Sequence, residues 1–423
     1  MVAGIAPILI ALVSFFLRIF HLGDIKTFIF DEVYYVDGAR DLLKFGVEVT
    51  GNNPEFIVHP PIGKWLIALG IQLFGDSAFG WRFTTAVAGS LMILLIALIA
   101  HRLFRNPLLT GLASALMAVD GLALVHSRTA LLDNFLALFI LTATYFFIRR
   151  QYWWTAIALG IALGIKWSAI YFILVFGVIA LYRAFTHHTG KALIRPTLER
   201  IGQFVLLPTA IYLISWIGWF NSQRGWARDY SANVLTSFVH YHQQILNFHT
   251  SLTEKHTYQA NPWSWLIMGR PTSFFYQSPK GCGADSCSQE ILALGTPLLW
   301  WSATIALSVV VGLWIRAALM RRIEPALTII VAGMTAGYLP WFFYQSRTAF
   351  TFYAIVFQPF LILALVYCAQ LIRSKFGRRG EIVIAAGILL ITLNFLYFLP
   401  IYMGDVITTR HGETGCGSRA GFN

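Results

Sequence analysis

The chain has 423 residues, of which 57% are hydrophobic and 12% are charged, and its formal net charge is +12. Charged residues make up about a quarter of an average soluble protein, so this composition excludes the soluble globular class. About half of the 31 basic residues are spread over five short loops, and no soluble basic face is formed. The charge therefore indicates topology and contact with a lipid surface, and it excludes nucleic acid as a partner.

Apolar segments of membrane length recur along the chain, and such segments predict transmembrane helices. Eleven are predicted, at about 4–20, 82–101, 108–125, 130–148, 152–165, 167–182, 202–220, 296–315, 325–340, 350–372 and 382–402. The segments 152–165 and 167–182 are short, with only Lys166-Trp167-Ser168 between them, and merging them would give ten spans. The sequence predicts an all-α polytopic membrane protein with about eleven transmembrane helices.

Basic residues in the short loops predict the orientation of the chain. The loops after the even-numbered spans contain Arg102, Arg105, Arg149, Arg150, Arg183, Lys191, Arg195, Arg200, Arg316, Arg321, Arg322, Arg373, Lys375, Arg378 and Arg379. The positive-inside rule places these loops, and with them the N-terminus, in the cytoplasm. Eleven spans then place the C-terminus outside. Ten spans would put the later basic loops on the wrong side of the cell membrane, which favours eleven.

Two long polar loops, at about 21–81 and 221–295, fall on the outer side. In the first loop, residues 33–45 predict a helix in the membrane interface, with Asp31-Glu32 at its start, where the helix dipole favours acids. Residues 65–74 predict a second interfacial or re-entrant helix. The second loop lacks the strand alternation of an independent β domain. We predict one transmembrane domain at 1–405 and an extracytoplasmic, disordered tail at 406–423.

The cysteines permit one disulfide. Cys282 and Cys287 lie in the second outer loop, at a spacing and in a compartment that allow a bond between them. A metal site is disfavoured there, because no second Cys/His pair lies nearby. Cys368 falls inside a span, and Cys416 stands alone in the tail.

Four motifs in the polar loops resemble a known family. They are Phe30-Asp31-Glu32-Val33-Tyr34-Tyr35, His59-Pro60-Pro61-Ile62-Gly63-Lys64, His126-Ser127-Arg128 with Leu132-Asp133-Asn134, and His256-Thr257-Tyr258-Gln259-Ala260-Asn261-Pro262-Trp263-Ser264-Trp265 with Gly269-Arg270-Pro271. In content and order they resemble the bacterial branch of the protein O-mannosyltransferases, from the first span to about Asp405. The chain has no room for the β-trefoil domain of the eukaryotic members, and its Gly-rich tail departs from the aromatic, basic ending expected of the family.

The resemblance implies a GT-C type fold and an inverting transfer of mannose from polyprenyl-phosphate mannose to Ser or Thr hydroxyls of a translocating or extracytoplasmic protein. A candidate route for the acceptor is delivery by the secretion machinery. A hydroxyl attacking the anomeric carbon in a single displacement needs one carboxylate as general base. By resemblance Asp31 is that base, and Glu32 orients neighbouring acceptor or sugar groups. From spacing alone, helix capping and a charged loop explain the pair equally well.

The leaving phosphate needs cations and no general acid. The candidates for binding the donor phosphate or sugar are Arg128, His59, Lys64 and Arg270. Snorkelling anchors are the alternative for Arg128 and Lys64, and a loop-pinning role is the alternative for His59. Asp133 is interpreted as orienting Arg128, since an acid inside a span needs a partner. His256, Tyr258 and Trp263 are candidates for positioning the acceptor or the loop, although Trp and Tyr are also common interface anchors.

No metal and no other cofactor are expected, because only one acidic pair is placed for a cation and a monophosphate donor offers few oxygens to bridge. Two alternatives stay open. One is a transferase of the same fold that moves another lipid-linked sugar, such as arabinose or aminoarabinose, to a lipid or glycan. The other is a transporter, which would show charges along a path and inverted repeats. Neither feature is visible in the sequence.

Overall fold

The computed structural model describes residues 4–282, 284, 286–322 and 324–408. In that part of the chain the α-helices are α1 Ile5–Ile19, α2 Glu32–Phe45, α3 Ile62–Phe74, α4 Ala78–Phe104, α5 Pro107–Ala118, α6 Gly121–His126, α7 Leu132–Ile148, α8 Tyr152–Leu163, α9 Ala169–His187, α10 Ile194–Ile201, α11 Leu207–Ser215, α12 Ile217–Asn221, α13 Val234–Ser251, α14 Pro297–Leu319, α15 Pro325–Gly337, α16 Gln358–Phe376 and α17 Arg378–Met403. The strands are β1 Val49–Thr50, β2 Asn53–Pro54, β3 Thr272–Gln277, β4 Cys287–Ala293 and β5 Val406–Thr408.

Six helical segments are long and apolar enough to cross a membrane: Ala78–Phe104, Ala169–His187, Pro297–Leu319, Pro325–Tyr344, Gln358–Phe376 and Arg378–Met403. Shorter apolar helices occur at Ile5–Ile19, Ile62–Phe74, Pro107–Ala118, Leu132–Ile148 and Tyr152–Leu163. The polytopic helical architecture is therefore confirmed, while the number of spans stays a prediction. Helices α8 and α9 are separate, as the interpretation with eleven spans requires.

The bundle is organised around α4 and α16. Helix α4 packs against α1, α3, α5 and α7, and α16 packs against α14, α15 and α17. Local capping explains several helix starts. The Ser77 side chain accepts a hydrogen bond from the Gly80 N–H at the start of α4, and Asn106 accepts from the Leu108 and Leu109 N–H groups ahead of Pro107 in α5. These side chains satisfy backbone donors that a helix start leaves unpaired.

Three predicted spans are interrupted. The segment 108–125 breaks between α5 and α6, because Asp120 caps α6 through the Ala123 N–H and also accepts from Thr296 N and Trp300 Nε1, at 3.0 and 2.9 Å. The segment 202–220 consists of a π-helix at Gly202–Leu206 followed by α11 and α12. The segment 350–372 begins as a 3-10 helix at Thr351–Val356 and continues as α16.

The two long loops pack together at one end of the bundle. In the first loop, α2 and α3 form close to their predicted positions. From the second loop, α13 lies against the first, where the Tyr241 hydroxyl donates to the Ile57 carbonyl and accepts from the Ile57 N–H, each at 3.2 Å. Trp216, Trp219 and Tyr241 pack with Val47 and Val49 in a shared apolar cluster. One loop therefore supports the other.

A three-stranded antiparallel sheet in the order β3-β4-β5 covers this end, and the sequence pattern did not predict it. Cys282 and Cys287 form a disulfide in the β3–β4 connection, as the sequence allowed. Strand β5 pairs with β4 through Ser288 and Ile407. The domain boundary at 405 and a tail disordered from 406 are therefore wrong for residues 406–408, because β5 completes the sheet. Cys416 and the rest of the tail lie outside the described residues.

Candidate active site

Asp31 occupies the N-cap position of helix α2, without a side-chain capping bond, at the end of the bundle that carries the long loops. The preceding residue, Phe30, has a φ of +50°, and its ring stacks on Phe274 with ring centres 4.9 Å apart. A positive φ is costly for a bulky residue and persists only where packing enforces it. The turn therefore holds the half-buried Asp31 carboxylate in one place, 3.4 Å from the Tyr35 hydroxyl.

Burial raises the pKa of Asp31 to about 6, an effect that the nearby positive charge of Lys166 opposes and the negative charge of Asp133 reinforces. Desolvation disfavours the ionised carboxylate, which makes it a stronger base than an exposed aspartate. A carboxylate with this pKa is still mostly ionised at neutral pH and can accept a proton from a bound hydroxyl.

Glu32 lies in a buried ion pair and not on the surface that an acceptor or a sugar would contact. It is 0% exposed and pairs with Arg82, which is 1% exposed, through bonds of 2.8 Å from Nε and 2.7 Å from Nη2. Its two carboxylate oxygens also accept from the Ile29 and Ala130 N–H groups, each at 2.8 Å. With all four bonds used and no exposed surface, Glu32 cannot orient an acceptor or a sugar directly. That expectation is corrected: Glu32 is a positioning residue for the turn that carries Asp31.

A cavity of about 500 Å³ lies beside this turn. Tyr35 connects Asp31 to it, since the Tyr35 ring centre is 6.0 Å from that of His59 on the cavity wall. The polar and charged residues of the wall are His59, Asp133, Lys166, Ser168, Tyr171, Tyr212, His242, His249, Thr250, Tyr344, Arg347 and Tyr353. The remaining wall is largely apolar, as is usual for a small-molecule site with a few placed polar groups.

Of the predicted phosphate-binding residues, His59 lies in the cavity. Burial and the surrounding positive charges hold the pKa of His59 well below its ordinary value, so the ring is neutral. His249 lies against it, with ring centres 5.5 Å apart. His249 Nε2–H donates to the Val58 carbonyl at 2.9 Å, and its Nδ1 accepts from Arg347 Nη2 at 3.3 Å. Burial and the neighbouring Arg347 also lower the pKa of His249, to about 4.

Besides Arg347, the cavity wall carries a second cation, Lys166. Its ammonium donates to Asp133 Oδ2 at 2.7 Å and lies 5.3 Å from the centre of the Tyr353 ring. The expected pairing of Asp133 with Arg128 is therefore wrong, because Asp133 at the start of α7 faces the α8–α9 turn. A cation in the middle of an apolar run is a signal of function, and that signal could have identified Lys166. Arg347 carried no comparable local signal.

Arg128 and Lys64 are engaged away from the cavity, so their predicted phosphate roles are corrected. Arg128 Nη1 donates to the carbonyls of Arg18 and Phe20 at 2.9 and 2.6 Å, at the C-terminal end of α1. Lys64 is 3% exposed, and its ammonium donates to Glu48 Oε1 at 2.7 Å. Both cations stabilise the surrounding scaffold.

The fourth motif lies at the surface of the same end. Arg270 is exposed and donates to the Thr257 carbonyl, while Trp263 is 63% exposed. His256 Nδ1 accepts from the Tyr258 N–H at 3.1 Å, and the His256 ring contacts Phe350, which packs against Phe30. None of these four residues lines the cavity. The roles of His256, Tyr258 and Trp263 in positioning the acceptor or the loop stay predictions, and so does the donor-binding role of Arg270, which lies outside the cavity.

No group of three or more His, Cys, Asp or Glu side chains suited to a metal ion occurs in the part of the chain that the structure describes. The charges available to a phosphate in the cavity are those of Lys166 and Arg347, with the neutral rings of His59 and His249 as further hydrogen-bonding groups. A cavity with two cations can hold a phosphorylated donor, and a basic carboxylate next to it can deprotonate a hydroxyl acceptor.

Comparison with known proteins agrees with the chemistry inferred from the site. Residues 8–217 match the family described as "Dolichyl-phosphate-mannose-protein mannosyltransferase", and residues 234–415 match the "C-terminal four TMM region of protein-O-mannosyltransferase". The polyprenol-phosphate-mannose–protein mannosyltransferase of Corynebacterium glutamicum is 31% identical, over 90% of this chain and 86% of that protein. The protein of the same name from Mycolicibacterium smegmatis is 32% identical, over 93% of this chain and 88% of that protein.

Two solved structures show the fold. The Saccharomyces cerevisiae protein O-mannosyltransferase Pmt1-Pmt2 complex bound to the sugar donor has a TM-score of 0.83 at 15% identity, over 98% of this chain and 92% of that one. ArnT from Cupriavidus metallidurans bound to undecaprenyl phosphate has a TM-score of 0.57 at 17% identity, over 93% and 64%. The fold is of the GT-C type, as predicted. On the strength of its sequence relatives, this chain is a glycosyltransferase that belongs to the dolichyl-phosphate-mannose-protein mannosyltransferase family.

Proposed function

We propose that the chain transfers mannose from polyprenyl-phosphate mannose to Ser or Thr hydroxyls of secreted or membrane proteins, on the extracytoplasmic face and with inversion. The observation that carries the proposal is the placement of Asp31, a carboxylate with a raised pKa, beside a cavity that contains Lys166 and Arg347. The names of the actinobacterial relatives supply the donor and the acceptor class.

In this mechanism Asp31 is the general base. The acceptor hydroxyl attacks the anomeric carbon of mannose and transfers its proton to Asp31, while the bond between that carbon and the phosphate oxygen breaks. The products are an O-mannosyl protein and polyprenyl phosphate. Tyr35 keeps the Asp31 carboxylate oriented through its hydroxyl, and Glu32 with Arg82 fixes the turn beneath it.

Lys166 and Arg347 stabilise the charge that develops on the leaving phosphate. Both lie on the wall of a largely apolar cavity, where a fixed positive charge acts more strongly than in water. Arg347 is held by its bond to His249, and Lys166 by its pair with Asp133. This arrangement assigns to Lys166 and Arg347 the function that the sequence suggested for Arg128 and Lys64.

The apolar part of the same cavity accommodates the start of the polyprenyl chain. Leu163, Ile170 and Phe172 line it from α8 and α9, and Leu246 lines it from α13. Ile170 is also 53% exposed on the outer surface of the bundle, so the apolar wall continues toward the membrane. A lipid donor can therefore place its phosphate at Lys166 and Arg347 while its chain stays in the bilayer.

The test is incorporation of radiolabel from polyprenyl-phosphate mannose into a Thr-rich peptide by the purified chain in lipid. Alkali-labile label on the peptide, absent with Asp31→Asn, supports the proposal. Label that appears on a lipid or glycan and never on peptide would show a different acceptor. Failure with mannose and success with another lipid-linked sugar would show a different donor.

A further inference from the structure

A second cavity, of about 570 Å³, lies at the end of the bundle opposite the two long loops. It is formed by the turn between α7 and α8, the end of α9, and the segment from α10 into the π-helix at Gly202–Leu206. Three arginines line it: Arg150, Arg183 and Arg200. The catalytic mechanism uses none of them, and they lie at the opposite end of the helices from Asp31.

Two of the arginines of this basic cavity, Arg183 and Arg200, lie against aromatic rings. Arg183 Nη1 donates to the Tyr152 hydroxyl at 3.3 Å, and its guanidinium lies 5.1 Å from the centre of the Phe147 ring. The Arg200 guanidinium lies 4.3 Å from the centre of the Tyr152 ring. The one acid of the wall, Glu199, pairs with the exposed Arg195 at 3.1 Å. Among the described residues no carboxylate forms an ion pair with the three arginines of the cavity, and Arg200 Nη1 donates to the side-chain oxygen of Gln203 on the same wall.

The backbone at this cavity is irregular. The five-residue π-helix Gly202–Leu206 interrupts an otherwise α-helical segment, and insertions of this kind concentrate at functional sites. Two buried polar atoms of the wall, Arg200 Nε and Gln151 Oε1, have no hydrogen-bond partner in the part of the chain that is described. One is a donor and the other an acceptor. Burial makes an unmet hydrogen bond costly, so these two atoms mark a wall that is not optimised for its own packing.

The surroundings of the cavity indicate a lipid. Helix α10 exposes Ile194, Leu198 and Ile201 on one side, a pattern typical of helices that lie in the membrane interface. Trp153 and Trp154 are 52% and 56% exposed beside the cavity, and Trp is enriched at that depth. We propose that the basic cavity binds the headgroup of an anionic phospholipid, with its phosphate between Arg183 and Arg200.

The test measures binding of phosphatidylglycerol and of phosphatidylcholine with the same acyl chains to the full chain in a neutral detergent, by native mass spectrometry. A detergent without charged lipid removes the general surface potential, so single binding events are compared. Each basic side chain close to an anionic headgroup changes binding by about fivefold. Arg183→Ala/Arg200→Ala should therefore lower the preference for phosphatidylglycerol by about 25-fold.

The matched control is Arg321→Ala/Arg322→Ala, which removes the same charge from the α14–α15 connection at the same end of the bundle. It should keep the preference of the wild type. Equal loss in both double variants, or no loss in Arg183→Ala/Arg200→Ala, would overturn the proposal. So would full competition by glycerol phosphate, which would indicate a soluble ligand. If the double variant does not fold, the exposed Arg150 replaces it, and an unchanged preference in Arg150→Ala would count against the site.

Discussion

Asp31 is the residue on which the proposed chemistry depends most. Asp31→Asn keeps the shape of the side chain and removes its basicity, so turnover should fall by about 100-fold or more, the scale of a general base. Binding of the donor should change little, because Lys166 and Arg347 carry that interaction. The measurement is mannose transfer under single-turnover conditions together with donor binding.

The matched control for this substitution is Asp37→Asn, on the exposed side of the same helix, where Asp37 pairs with Arg40 at the surface. It should behave as the wild type. If Asp31→Asn retained full turnover while Glu32→Gln lost it without loss of folding, the base would have been assigned to the wrong neighbour.

The pH dependence of turnover should show the titration of the Asp31 carboxylate. Its pKa is raised by burial to about 6, so the carboxylate is ionised above that pH and becomes protonated below it. Turnover should therefore decline as the pH falls through about 6, with one proton on the acidic limb. The measurement is the pH profile of turnover at saturating donor. A limb near pH 4, the value of an ordinary aspartate, would contradict the raised pKa of Asp31.

Arg347 should be the more informative of the two cavity cations, because Lys166 also neutralises Asp133. We expect Arg347→Ala to lower donor affinity and turnover together by about 10- to 100-fold, and Arg347→Lys to be intermediate, since the charge stays and the forked geometry is lost. Arg270→Ala, which removes an exposed arginine outside the cavity, is the control and should change donor affinity less than about threefold. Equal effects of the two alanine variants would contradict the assignment of the phosphate site.

The sequence selected Asp31 and His59 from specific motifs, and the structure places His59 in the cavity wall and Asp31 near it, while their catalytic and binding roles stay predictions. The sequence failed for Arg128 and Lys64, since a motif does not show which way a long side chain turns. Arg128 turns to the carbonyls of Arg18 and Phe20, and Lys64 turns to Glu48. Such pairings depend on segments that are distant in sequence, and only the folded chain reveals them.

At the level of secondary-structure elements, the Glu32–Arg82 pair joins three parts of the fold. Arg82 on α4 also donates to the carbonyls of Ile25 and Thr27, at 2.8 and 2.9 Å, and Glu32 reaches the backbone ahead of α7 through Ala130. The pair therefore fixes the loop between α1 and α2 relative to α4 and α7. This explains how a carboxylate on a loop can keep a defined position.

Removing one partner of this buried pair leaves the other charge uncompensated. We expect Arg82→Ala to destabilise the protein by about 3–5 kcal/mol, measured as the shift of thermal unfolding in detergent. Arg40→Ala is the comparison, because Arg40 pairs with Asp76 in a more exposed setting and should cost about 1 kcal/mol or less. Similar stability of the two variants would mean that the Glu32–Arg82 pair does not hold the loop.

Helices were predicted better than strands, for a physical reason. Long apolar segments predict membrane-spanning helices directly, and the apolar residues of α2 have the spacing of a half-buried helix. Strands β3 and β4 are short, and their buried positions do not alternate regularly. The sheet is stabilised by pairing with β5, more than a hundred residues later in the chain, and by contact with α17. No local pattern reports either contact.

At the scale of the whole molecule, the positive-inside rule and the position of the site together predict how the chain is oriented in the membrane. The long loops with Asp31 lie at one end of the bundle and the basic connections lie at the other, so the active site should face away from the cytoplasm. In a Cys416→Ser background, Ser278→Cys and Ser374→Cys introduce thiols at exposed positions on the two opposite ends. A membrane-impermeant maleimide should label Ser278→Cys in intact cells and Ser374→Cys only after permeabilisation, because Cys282 and Cys287 are bonded to each other and Cys368 is partly buried. The reverse labelling would put Asp31 in the cytoplasm. A secreted acceptor would then have to be mannosylated before it crosses the membrane.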